Sequence, residues 1–446
     1  MKKTIISVIF SILLVAMFFS GCISGGDDNA EADTTTAPPT TTAPTNPSTT
    51  AAPTQPPTTA PATPAYVHSG CSTLYVNQDP GNARYYACDI SASPEDVWSL
   101  DIGRPLSHIL ADYDRIFYIE FISNSYMLKC LDVNSGDLYW ETSLPFLGFY
   151  DLILQDEKLY VFQNAGEKTL ICYDAHDGSM LWTSEDVYDI YPDVGELIAD
   201  SMTCADGKVF VTLGESGSDT VILCCFDAAT GETLWHNNND YSNRSIYPSF
   251  EGGVLYYSVL LWEENDQIIG LDVDTGDVTY VYNTPLLDNF NGRDIVVSDG
   301  RIYAMAQNMD TYELCIACIS IVSNDIVWQH DIGDYWGEDI IVGDDYVFVT
   351  KPEEIICLDK GDGQEMWNIP MDYHLWDPAI ATPGKLMVFR SHYLTEVPPQ
   401  MLMIDSSSGE ELWSVTLEGT DLSNCASFYD DKILVATDNG KLYCFE

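Results

Sequence analysis

The sequence predicts an all-β chain closed into a β-propeller of four-stranded antiparallel blades, and three observations predict it. A nine-residue phrase, with an acidic residue at its start, a Gly turn inside it and a Trp at its end, recurs about every 40 to 50 residues. Each copy follows short runs rich in Val, Ile, Tyr and Phe, split by Asp, Gly and Ser. A further strand-rich hairpin stands at each end of the repeated region, so both termini carry pieces able to close a ring.

The phrase reads DVNSGDLYW from Asp132 to Trp140, DAHDGSMLW from Asp174 to Trp182 and DAATGETLW from Asp227 to Trp235. It returns as DVDTGDVTY (Asp272 to Tyr280), DKGDGQEMW (Asp359 to Trp367) and DSSSGEELW (Asp405 to Trp413), with looser copies ending at Trp98 and Trp328. Asp and Ser side chains cap turn amides, and Gly accepts a positive φ, so the first half of the phrase specifies a tight turn. The Trp that follows is expected to wedge between neighbouring blades, where a large ring buries area that one blade cannot bury alone. Trp98, Trp140, Trp182, Trp235, Trp328, Trp367 and Trp413, with Tyr280 in the remaining copy, therefore mark eight blades. The preceding hairpin occurs nine times, once more than the Trp position, and includes Ser72–Asn77 with Tyr85–Asp89 and Asp431–Ala436 with Lys441–Glu446. Eight blades, one of them closed by strands from both termini, is the expected count; seven is the alternative, and one terminal hairpin is surplus.

The pattern Y-x-C-L-D-x-x-T-G-x-x-x-W is similar to the tryptophan-docking repeat of PQQ-like propellers, and the similarity spans about residue 71 to residue 446. That superfamily holds quinoprotein dehydrogenases and also non-catalytic lipoproteins of the BamB type, so the resemblance implies a fold before it implies an activity. A catalytic member would need a Ca²⁺ site beside the quinone, a general-base Asp, a cation on the quinone oxygens and a Trp under the ring. No stretch of this chain matches that set. A Gly-rich phosphate loop, a nucleophile elbow and HExxH are also missing from the sequence.

The front end is of another kind. MKK, an apolar stretch to Phe19 and then Ser20-Gly21-Cys22 resemble a lipoprotein signal peptide over residues 1–21, with Cys22 as the lipidated residue. The apolar run is shorter than the roughly 20 residues of a spanning helix, and two acyl chains would suffice to anchor the chain. Residues 22–65 follow as a stalk. From Thr34 to Ala65 there are 13 Thr and 9 Pro in 32 residues and no charge, a composition with nothing to pack, so a disordered, extended spacer is expected. Residues 66–446 form the propeller, placed by this anchor on the outer face of the cell membrane.

Of the 69 acidic and 18 basic residues, 65 and 16 lie from residue 66 onwards. Such a surface excludes nucleic acid and anionic lipid as partners, because both would be repelled. Thirteen Cys in an extracytoplasmic chain suggest disulfides first. The register argues otherwise: Cys88, Cys130, Cys172, Cys225, Cys318 and Cys357 each precede the Trp position by ten residues, and Cys444 holds the same place in the last hairpin. Relatives commonly carry Ala there, which implies small core residues, one per blade and too far apart to bridge. Cys315 and Cys318, three apart on a strand, and the vicinal pair Cys224-Cys225, mid-strand, are read as structural as well.

Ligand chemistry in a propeller belongs to the central channel or to the loops. Alignment of the first strands puts Asp151, Asp294, Asp339 and Asp377 around the channel, with His108, Ser201 and Cys425 at other ring positions. Four carboxylates there could hold a hard cation such as Ca²⁺; in an acidic chain they also describe a solvated funnel. Asn243 opens the one usable N-glycosylation sequon. The expected function is a non-catalytic, membrane-anchored module that binds a protein or a cell-surface glycan without a cofactor. A PQQ-dependent dehydrogenase and a channel that binds a cation or small ligand are the alternatives.

Overall fold

A computed structural model describes Tyr85, Tyr86, Ile90 and residues 94–446, apart from single positions and inter-strand segments, among them 146–151, 217–220, 240–247, 260–265, 289–294, 334–338, 372–378 and 391–397. Eight antiparallel sheets make eight blades. Blade 1 runs Leu110–Asp112, Arg115–Ile122, Ser125–Asp132 and Leu138–Leu144, inner strand first. Blades 2 to 7 repeat this order, with outer strands Met180–Thr183, Thr233–Asn239, Val278–Tyr282, Ile326–Gly333, Glu365–Pro370 and Glu411–Thr416. Blade 5 carries an extra two-residue strand, Leu287–Asp288, beside its second strand. The first strands of the blades are neighbours around the centre, and that of blade 8 (Leu422–Tyr429) meets that of blade 1. The ring is thus closed and leaves no long inner edge.

Blade 8 resolves the surplus hairpin. Its first three strands are Leu422–Tyr429, Lys432–Thr437 and Lys441–Phe445, and its fourth is Asp96–Asp101 from the other end of the chain. Both termini close one blade, as expected, and the hairpin left over is the N-terminal one. Cys444 stands opposite Trp98 in this composite sheet, as Cys130 does opposite Trp140 and Cys357 opposite Trp367. The same facing pair is Cys172–Trp182, Cys225–Trp235 and Cys318–Trp328, with Gly270–Tyr280 and Met403–Trp413 in the two blades without the Cys. Space there is short: a Cβ on Gly270 would lie 2.8 Å from Val254 Cγ1. Six of the seven register cysteines are fully buried free thiols; Cys88 lies outside the described residues.

Blades are joined by the phrase itself. In blade 4, Asp272 Oδ1 accepts from the amides of Asp274 and Thr275 at 3.0 Å, which folds the turn. Trp235 of blade 3 then lays its ring on that turn and donates from Nε1 to Val273 O at 2.8 Å. Gly276 has φ 73°, and a Cβ there would come within 2.7 Å of the Trp235 ring. The Gly is required twice, by backbone and by neighbour. Trp98 donates likewise to Val133 O, Trp328 to Lys360 O and Trp367 to Ser406 O. At the next two junctions a different donor reaches the same carbonyl: Arg115 Nη1 to Ala175 O and Tyr160 OH to Ala228 O, both at 2.9 Å. Where Tyr280 replaces the Trp of blade 4, Asn324 replaces the Gly of blade 5, at φ 59°. A smaller ring lifts the demand for a missing Cβ, and Asn tolerates the left-handed backbone.

At the junction between blades 7 and 8 no phrase turn is present among the described residues, because blade 8 takes its fourth strand, Asp96–Asp101, from the N-terminal side of the ring. The N-terminal segment covers the junction instead. Tyr86 N donates to Ala381 O at 2.9 Å along the inner strand of blade 7, and its ring lies 4.6 Å from that of Phe428 in blade 8. Tyr86 and Ile90 share a buried cluster with Trp413, whose Nε1 finds no acceptor. Glu95 and Glu446 then exchange two backbone hydrogen bonds, which ties the C-terminus down.

Two substitutions test the double role of the glycine. Gly276→Ala is expected to lose about 2–4 kcal/mol in urea unfolding, from positive-φ strain plus overpacking against Trp235. Gly207→Ala, at φ 70° with no neighbour within 4 Å, carries the strain alone and should lose about 1–2 kcal/mol.

Candidate functional site

Strand parity sorts the connections. Inner-to-second turns and phrase turns leave on one face, and the longer connections leave on the other. Of the four predicted channel carboxylates only Asp339 lies within the described residues; Asp151, Asp294 and Asp377 lie outside them, as do Asn243 and Cys22. Asp339 begins the inner strand of blade 6, half-buried and paired with Thr350. Ser201 is buried in the inner strand of blade 3, and its hydroxyl meets Thr212 Oγ1 at 2.7 Å. Among the described residues no three His, Cys, Asp or Glu side chains converge on a point where a metal ion could sit. The aspartates of the phrase, which resemble calcium loops in sequence, use their oxygens on turn amides, as Asp272 does.

The free edge of the inner strand of blade 7 faces the channel, and Tyr85 bridges it at Ala381 in parallel fashion. Tyr85 OH reaches Asp344 Oδ2 at 2.8 Å on the turn face of blade 6. The chain's own N-terminal segment therefore occupies part of the channel wall. Periodicity could not show this, because the same residues read as an ordinary blade hairpin.

The cations are committed elsewhere. Arg115 and Arg301, at equivalent positions in blades 1 and 5, donate to turn carbonyls of the next blade, and Lys208 pairs with Asp274 of the next blade at 2.7 Å. Lys360 bridges back to Asp299 at 2.8 Å. Lys129 meets the buried Glu120 at 2.5 Å, and Lys351 Nζ donates to Ile332 O at 2.7 Å. Lys168, buried at 4 % exposure, donates to both oxygens of Asn164, and desolvation lowers its pKa. A quinone–calcium pair would need a free cation and a convergent oxygen set at the channel. Among the described residues no such convergent oxygen set is found.

The cysteines are inert by burial. Cys315 and Cys318 belong to hydrophobic clusters on opposite faces of their strand, and Cys224 and Cys225 divide in the same way. Desolvation pushes the thiols of Cys224 and Cys315 up to about 12 and that of Cys318 to about 11.

Two clefts open on the turn face at blade junctions. One, of about 180 Å³ between blades 1 and 2, is lined by Tyr113, Arg115, Phe117, Glu157, Ala175 and His176. The other, of about 580 Å³ between blades 5 and 6, is lined by Asp299, Arg301, Tyr303, Asp344, Asp345, Tyr346, Asp359, Lys360 and Gly361.

Residues 86–217, 192–294 and 282–369 match the family model described as outer membrane protein assembly factor BamB. No curated protein sequence matches the chain. Among solved structures, quinohemoprotein alcohol dehydrogenase ADHIIG from Pseudomonas putida HK5 is similar at 11% identity and a TM-score of 0.62, covering 84% of this chain and 80% of that one. The enzyme of the same type from Comamonas testosteroni is similar at 13% identity and 0.62, with the same coverage. BamB from Moraxella catarrhalis is similar at 13% identity and 0.56, covering 79% of this chain and all of its own. These likenesses show the fold.

The thiols predict an alkaline limit. The fold holds them neutral, whereas an unfolded thiol ionises from about pH 8.5. Their contribution is complete below that value and is lost as pH rises toward the folded pKa, at about 1.4 kcal/mol per thiol per pH unit. Urea midpoints should therefore fall steeply between pH 8.5 and 10.5. Mass spectrometry after alkylation at pH 8 should find these nine cysteines unlabelled until the chain unfolds.

Proposed function

The chain belongs to the family of the outer membrane protein assembly factor BamB, and on that premise we propose that it is a non-catalytic, lipid-anchored propeller displayed outside the cytoplasm, where it binds a protein or surface glycan. One observation supports the non-catalytic part: Arg115, Lys208, Arg301 and Lys360, among the described cations, are engaged in holding blades together. Cys22 supplies the anchor, and the Thr/Pro-rich stretch holds the propeller away from the membrane. Nucleic acid is not a partner, because the formal net charge of −51 repels it.

The fold is shared with quinohemoprotein dehydrogenases, so the enzyme alternative needs a direct test. Titration of the full chain with PQQ and calcium is expected to give no stoichiometric quinone absorbance change and no dye-linked alcohol oxidation. Either signal overturns the non-catalytic reading. Cys22→Ala is expected to move the protein from the membrane fraction to the soluble fraction after cell lysis, and retention in the membrane would refute the lipid anchor.

A further inference from the structure

The junction between blades 7 and 8 is covered by a segment rather than by a turn. At six other junctions the cover is a phrase turn continuous with two strands of its own blade, so it cannot leave unless that blade unfolds. Here the cover is Tyr85, Tyr86 and Ile90, which belong to no blade strand. Among the described residues, its backbone attachment to blade 7 is one isolated bridge at Ala381, with a hydrogen bond from Tyr86 N to Ala381 O at 2.9 Å. Tyr85 OH adds its bond to Asp344 Oδ2 at 2.8 Å. The fourth strand of blade 8, by contrast, pairs with its neighbour at five positions from Asp96 to Asp101.

Apolar contact supplies the rest of the hold. Tyr86 and Ile90 are 4 % and 6 % exposed, in one cluster with Trp413, Leu417 and Phe428, and the Tyr86 ring lies 4.6 Å from that of Phe428. Lifting the segment returns these two side chains to water and uncovers the Trp413 and Phe428 rings with the strand edge at Ala381. That costs the burial of two side chains and not of a blade, so the opening lies well below global unfolding. Glu95 sets where the movement stops. It exchanges two backbone hydrogen bonds with Glu446, and the paired strand of blade 8 starts one residue later.

We propose that Tyr85, Tyr86 and Ile90 anchor a strap that lifts from the blade 7–8 groove, pivoting ahead of Glu95, while all eight blades stay closed. The vacated groove takes an extended polypeptide segment with the strap's own chemistry: an aromatic residue on Phe428, an aliphatic residue four positions later and a backbone amide for Ala381 O. The strap is then a built-in competitor, and a partner segment binds in proportion to the lifted fraction. The inference rests on the protein-binding function proposed above and names the docking groove and the kind of segment it takes.

The probe is a synthetic peptide of residues 84–93 with Cys88→Ser, titrated by ligand-observed NMR into the detergent-solubilised full chain. Tyr86→Ala in the protein removes the strap's buried ring and should raise the peptide's affinity on the order of a hundredfold over the wild-type chain. Tyr85→Phe, which removes only the bond to Asp344, should raise it about tenfold. A peptide that itself carries Tyr86→Ala should not bind. If Tyr86→Ala misfolds in the protein, Tyr85→Phe decides alone. The proposal is overturned by absence of peptide binding to both variants, by equal affinity for the wild type and the variants, or by binding that the peptide's own Tyr86→Ala leaves intact. A failed titration alongside a protein recovered by crosslinking on cells overturns the strap and leaves the protein-binding function standing; a bound peptide with no protein recovered does the reverse.

Discussion

Six of the eight blade junctions depend on one contact, a Trp ring laid on the Gly turn of the next blade. A single four-stranded sheet of this size cannot bury both of its faces, so stability has to come from the junctions. The contact combines two requirements that reinforce each other. The turn needs a left-handed residue, and the ring needs the space a side chain would take, as at Gly276 beneath Trp235. The junction between blades 4 and 5 shows that the two requirements move together, since Tyr280 and Asn324 depart from the pattern in the same place.

At these six junctions the hydrogen-bond acceptor is a single turn carbonyl, and different blades satisfy it with different donors. Trp supplies the donor to Val133, Val273, Lys360 and Ser406, Arg115 to Ala175 and Tyr160 to Ala228. The scarcity of cations in so acidic a chain acquires meaning here, because several of them stitch blades together. At Lys360 O two donors converge, Arg301 Nη1 and Trp328 Nε1.

Much of the fold was legible in the chain. The spacing of the phrase pointed to eight blades rather than seven, one of them closed by both termini, and the sheets bear this out, whereas the surplus hairpin could not be placed from the chain. Counting ten residues back from each Trp identified Cys130, Cys172, Cys225, Cys318 and Cys357 as core positions, because a fixed spacing across a turn means a fixed partner across the sheet. The site was far less legible. Counting along first strands selected four aspartates, of which Asp339 is the one the described structure places, at the start of an inner strand. The cleft at Tyr303 has no sequence signal of its own, since Tyr, Phe, Met and Leu all occupy that position around the ring.

The sequence by itself determined the repeat, its period, the turn geometry and the composition of the core, because these follow from local chemistry and from spacing along one strand pair. Tertiary structure alone decided which terminal hairpin completes blade 8, since Cys88 and Cys444 fit the same register and only packing against Trp98 and Phe428 separates the two segments. It also decided which donor reaches each turn carbonyl. That choice depends on distances between residues some 30 to 70 apart in the chain, in different blades, where side chains compete for two lone pairs on one oxygen. Competition of that kind has no period and therefore leaves no pattern in the sequence.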